Sequence, residues 1–172
     1  MKSVLISIQP KWVEKIANGQ KTIEVRKTRP KIDTPFKCYI YATKPKECFF
    51  VGKTLSYGTE VVAEFICDRI TEWHYLPDYD YEEYGDKIYY INSADGHATC
   101  LTYDEIENYG KGKTLYGWHI SNLKIYDKPK ELSEIKSVEK LYRVRKNTIG
   151  LKGGKTLTRP PQSWCYVEEL TK

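Results

Sequence analysis

The chain has 172 residues, 40% of them apolar and 30% charged, with 28 Lys and Arg against 23 Asp and Glu. That length suits one domain with a hydrophobic core, and no apolar run approaches the roughly 20 residues of a membrane-spanning helix. The five cysteines (Cys38, Cys48, Cys67, Cys100, Cys165) are odd in number and scattered, which argues against a disulfide framework and, without a close Cys or His pair, against a zinc site.

From the N-terminus, Val4, Ile6 and Ile8 alternate with Ser3 and Ser7, a period of two that predicts a strand, with Leu5 on the otherwise polar face. Met1 to Pro10 has neither the longer apolar core nor the cleavage site of a secretory leader, so the expected location is the cytoplasm. Pro10 opens a helix well, because the first helical position has no donor to lose. Trp12, Val13, Ile16 and Ala17 then share one face, and Asn18-Gly19 supplies a left-handed stop. Lys21 to Lys27 reads as a second strand, with Ile23 and Val25 on one face and Thr22, Glu24 and Arg26 on the other. Further strands are expected at 37–43, 61–70, 115–126 and 164–168, each rich in β-branched or aromatic residues. A second helix is expected over 103–109, with Thr102 as N-cap and Glu105 completing a capping box. Separated strands with two short helices and no regular alternation predict an α+β β-barrel covered by helices.

Charge is segregated along the chain. Residues 1–53 hold 12 basic against 4 acidic side chains, residues 54–127 hold 5 against 14, and residues 128–159 hold 10 against 3. Basic ends that converge would suit a phosphate backbone; a solvated, uneven surface is the plainer alternative. Residues 73–90 form an acidic, tyrosine-rich insert, and residues 130–159 a basic extension. The insert resembles a calcium loop at Asp78, Asp80 and Glu82, but Glu83 stands in place of the required Gly and Tyr89 in place of the bidentate Glu. Gly-Lys-Thr occurs at 52–54, 112–114 and 154–156, but none completes a P-loop: Ile149 stands where the last of these would need the first Gly. Neither a metal nor a cofactor is expected.

The feature that stands out is Gly19-x-Lys21-x-x-Glu24-x-Arg26, which gathers an ammonium, a carboxylate and a guanidinium at a helix-to-strand junction. Arg26 offers planar donors to a phosphate or base edge, Lys21 a point charge, and Glu24 an acceptor for an exocyclic amine. Alternatively, a buried lysine and a carboxylate can serve as acid and base on an amide or phosphodiester. The same spacing also fits a structural Glu24–Arg26 ion pair. Near the C-terminus, Gln162, Ser163 and Trp164 combine an amide, a hydroxyl and a stacking surface, suited to an unpaired nucleotide or to closing the core.

The runs Ser7-Ile8-Gln9-Pro10-Lys11-Trp12 and Gly19-Gln20-Lys21-Thr22-Ile23-Glu24-Val25-Arg26, with Gly117-Trp118-His119-Ile120-Ser121 and the ending from Arg159 to Val167, resemble small bacterial and phage proteins of the ASCH family. The resemblance covers residues 1–129 and the last ten or so. It implies a single PUA-like β-barrel over 1–172 with a cleft at the first helix-to-strand loop, and binding of RNA, single-stranded nucleic acid or a modified nucleoside. The chemistry of their side chains makes Lys21, Arg26, Lys27, Gln162, Ser163 and Trp164 the expected contacts. Some relatives in the superfamily are amidohydrolases that deacetylate acetylated cytidine with a Lys, a Thr and a Glu, and one has been described as a ribonuclease. On that reading Lys21 matches the lysine, Glu24 fills the threonine's position, Thr22 is the substitute nucleophile, and Lys21 with Glu24 does acid-base work. A third reading is a protein-interaction domain that uses the insert at 73–90.

Overall fold

The computed structural model describes residues 2–43, 59–76, 88–138, 140–145, 148–152 and 154–170. Its strands are β1 (Lys2–Ile8), β2 (Ile23–Arg26), β3 (Phe36–Ala42), β4 (Val61–Trp73), β5 (Tyr75–Leu76), β6 (Ile88–Tyr89), β7 (Leu115–Lys130), β8 (Lys140–Arg145), β9 (Thr148–Lys152) and β10 (Trp164–Glu168). Its α-helices are α1 (Pro10–Ala17), α2 (Ser93–Ala98) and α3 (Tyr103–Gly110). Six strands form one mixed sheet in the hydrogen-bonded order β10-β1-β3-β4-β7-β2, and β5-β6 and β8-β9 are separate two-stranded ribbons. The α+β class is as expected. The barrel is not: closing one needs the two terminal strands to pair, and among the described residues no pairing joins β10 to β2. Among the described residues no helix is long and apolar enough to cross a membrane.

The chain divides into two compact units. The first comprises Met1–Glu14, Phe36–Ile66 and Asn122–Lys172. Here β1 runs parallel to β3 (Val4 opposite Cys38) and antiparallel to β10 (Val4 opposite Tyr166). Besides being paired on both edges, β1 is covered on both faces, since every residue from Ser3 to Ile8 is buried. Leu5, on the face that alternation marks as polar, packs with Tyr39, Tyr41, Val61, Ile135 and Val167. Ser7 is buried and donates through Oγ to the Pro161 carbonyl at 2.7 Å, and its amide donates to the Ser163 carbonyl at 2.9 Å, fixing the entry to β10. The basic extension is partly built into this unit. Ile135 is fully buried, Leu157 packs against the same cluster, and β8-β9 forms an antiparallel ribbon. Ser137 bridges Val167 on the edge of β10 away from β1, and the Glu168 amide donates to the Lys136 carbonyl at 2.9 Å.

The second unit comprises Lys15–Pro35 and Cys67–Ser121. Ile23 and Val25 of β2 supply its core with Trp73, Tyr89, Ile106 and Leu115. Helix α3 starts as the sequence predicts: Thr102 accepts from the Glu105 amide, and Glu105 accepts in return from the Thr102 amide. Asn92 caps α2 by accepting from the Asp95 amide at 2.9 Å. Tyr75 and Tyr89 meet edge to face across β5-β6, the stem of the acidic insert, whose residues 77–87 lie outside the described residues.

Candidate functional site

Gly19, at φ +77, ends α1 in the left-handed conformation that its Asn-Gly sequence predicts. The Lys21 amide then donates to the Lys15 carbonyl at 2.9 Å, turning the chain into β2. This turn is tied to the end of α2 by three bonds: the Thr22 amide to the Ala98 carbonyl, the Cys100 thiol to the Gln20 carbonyl, and Lys21 Nζ to the Thr99 carbonyl at 2.7 Å. The last carbonyls of a helix lack intrahelical partners, so a cation is well placed there. Lys21 Nζ also donates to the Ile23 carbonyl at 2.8 Å and lies 3.4 Å from Glu24 Oε2. These two carbonyls and a carboxylate match the three donors of an ammonium.

Glu24 and Arg26 project from the same face of β2, and Glu24 Oε1 accepts from Arg26 Nη2 at 2.9 Å. All three charged residues are buried, with Lys21 2%, Glu24 6% and Arg26 8% exposed. One carboxylate between two cations offsets much of the desolvation that burial imposes. The register places Glu24 opposite Trp118 and Arg26 opposite Tyr116, so an indole and a phenol share this face. Tyr109 lies near Arg26 and Glu24; burial, more than any charge, pushes its hydroxyl above the usual tyrosine range.

Immediately after β2 comes a mostly exposed segment, with Lys27, Thr28 and Arg29 exposed in succession. Lys27, Arg29, Lys31 and Asp33 are exposed, Pro30 is buried, and Ile32 is half-buried. Residues 27–33 and Tyr116 line a cavity of about 520 Å³. Lys27 Nζ sits 4.7 Å from the ring centre of Tyr109, and the Arg29 guanidinium 5.8 Å from that of Tyr116. Among the described residues neither Lys27 nor Arg29 is in an ion pair with a carboxylate.

The other face of β2 carries different chemistry, since Ile23 stands opposite His119 and Val25 opposite Gly117. Thr22, Asp68, Arg69, His119 and Ile120 line a second cavity, of about 440 Å³. Arg69 Nη2 lies 3.1 Å from His119 Nδ1; arginine can only donate, so Nδ1 accepts and the proton belongs on Nε2. Nε2 then donates to Thr71 Oγ1 at 3.1 Å, and the Thr71 hydroxyl donates to the Gly117 carbonyl at 3.4 Å. Burial first, and Arg69 second, hold the imidazole below its ordinary pKa, in keeping with the neutral tautomer. Cys67, nearby in sequence, is no nucleophile at neutral pH, because burial pushes its thiol up to about 12.

The structure thus brings Lys21, Glu24 and Arg26 together, sets Thr22 in one cavity and Lys27 in another. Gln162, Ser163 and Trp164 belong to the first unit, where Gln162 is exposed, Ser163 and Trp164 are half-buried, and the Trp164 ring meets Tyr166 edge to face at 5.4 Å. Sequence reading missed Arg29, Lys31, Tyr116 and Tyr109 around the basic cavity, and Asp68, Arg69 and Thr71 around the other. The first two were legible as continuations of the basic run; the rest needed the strand register.

A family model described as the ASCH domain matches residues 6–151. Among solved structures, the crystal structure of ASCH from Zymomonas mobilis is similar at 18% identity and a TM-score of 0.57, covering 97% of this chain and 88% of that one. A tyrosine-to-phenylalanine mutant of that protein is similar at 18% identity and a TM-score of 0.58, covering 98% and 92%. At such identity the likeness speaks for the fold. No curated protein matches the sequence.

Proposed function

Because the chain belongs to the ASCH domain family, we propose that it binds RNA or another single-stranded nucleic acid, or a modified nucleoside, through the second unit. The observation that carries this reading is the cavity where Lys27, Arg29 and Lys31 converge beside Tyr116. Lysine and arginine neutralise phosphates, and the tyrosines beside them offer rings on which unpaired bases stack. Lys21, Glu24 and Arg26 serve as the buried anchor that fixes the end of β2, from which the basic segment departs. The open sheet is the frame of a PUA-like fold, and the scattered cysteines fit action in the cytoplasm.

Binding of short RNA and single-stranded DNA across a salt series tests the proposal. Three phosphate contacts predict a log-log slope of about −2, and Arg29→Ala should reduce its magnitude by about 0.7. Absence of association with any strand at low salt would remove the reading.

A hydrolase acting on acylated cytidine or RNA is favoured by one observation: Thr22 lines a cavity with Asp68, Arg69 and His119. In that reading Thr22 is the nucleophile, and Lys21 and Glu24 hold the turn that presents it. Turnover assays on acylated cytidines and labelled RNA, comparing Thr22→Val with the native protein, decide between the two.

A further inference from the structure

We infer that the cavity formed by residues 27–33 and Tyr116 is a pocket for a phosphomonoester: the terminal phosphate of a strand or of a mononucleotide, in preference to the phosphodiesters of a strand's interior. The inference rests on the nucleic-acid reading above and narrows it.

Charge is the first ground. Lys27, Arg29 and Lys31 against Asp33 give the lining a net charge of +2. A phosphomonoester carries about −1.5 to −2 at neutral pH, whereas each internal phosphodiester carries a single negative charge. The match is to the end group.

Shape and order are the second ground. Pro30 is buried and Ile32 half-buried, so they root the segment while Arg29, Lys31 and Asp33 beside them are exposed. Two of the cations are restrained before any ligand arrives, Lys27 by the Tyr109 ring and Arg29 by the Tyr116 ring. A guanidinium held against a ring keeps its fork of donors free to grip two phosphate oxygens, while an ammonium takes the third. Restraint of this kind lowers the entropy lost on binding. A cavity of about 520 Å³ also lies within the range of small-molecule sites, large enough for a phosphate with its sugar and base.

The experiment compares, by calorimetry, one short RNA sequence prepared with a 5′-phosphate, with a 3′-phosphate, and with hydroxyls at both ends, together with adenosine monophosphate, adenosine and inorganic phosphate. The expected result is that one phosphorylated end binds roughly tenfold more tightly than the hydroxyl ends. Arg29→Ala, and separately Lys31→Ala, should erase that difference; Arg29→Lys should recover part of it, since charge returns without the fork. Both positions are exposed, and a thermal melt of each variant confirms folding. Equal affinity for phosphorylated and hydroxyl ends would overturn the inference while leaving strand binding intact. If no strand binds at all, the broader reading falls, and the monophosphate then decides alone: amide shifts across residues 27–33 with adenosine monophosphate but not adenosine support the pocket, and their absence ends it.

Discussion

Glu24 is the side chain on which the buried charge cluster depends. It lies between Lys21 Nζ at 3.4 Å and Arg26 Nη2 at 2.9 Å, at 6% exposure. Replacing it by Gln keeps the shape and removes the only negative charge in the cluster, leaving two cations buried together. Removing one partner of a buried ion pair typically costs about 3 kcal/mol or more, so Glu24→Gln should lower the urea midpoint by that equivalent, and an unchanged midpoint would show the cluster to be solvated. At this scale the sequence was informative in part. Spacing placed Glu24 and Arg26 on one face and let Lys21 bend toward them. It could not reveal that Lys21 reaches the carbonyl of Thr99, 78 residues away, because nothing local encodes that partner.

Elements with clear periodicity and punctuation were legible. Pro10 and Asn18-Gly19 bound α1, Thr102 and Glu105 begin α3, and alternation marked β1, β2 and β10. Elements without either signal were missed. Helix α2 contains Gly96 and lacks an apolar stripe, and β8-β9 lies in a run where charged residues hide the alternation. The register of β2 on β7 has a consequence that can be measured. Gly117 lies opposite Val25, and a Cβ there would meet Trp73 at 2.7 Å and Thr71 Oγ1 at 2.8 Å. Glycine inside a strand commonly permits such close approach. Trp73 is buried and cannot simply swing away, so Gly117→Ala should destabilise the protein by about 1 to 3 kcal/mol in thermal or urea unfolding. A neutral result would mean that the indole yields.

Across the whole molecule, the charge segregation read from the sequence has a structural counterpart in each unit. The first basic block supplies Lys27, Arg29 and Lys31 to the second unit, and the other basic block lies in the first. The order of strands and helices predicted a closed barrel and the described strands form an open sheet, because strand patterning reports which residues are extended without reporting which edges meet. An open sheet has edges to protect, and the bridge from Ser137 to Val167 with the Lys136 carbonyl shields part of one. A chain shortened by excision of residues 136–156 would bare the backbone donors and acceptors of β10, a template for pairing between molecules. Such a protein should self-associate, visible as increased mass in light scattering, whereas the full chain at the same concentration should not; the basic segment would then double as a guard against aggregation.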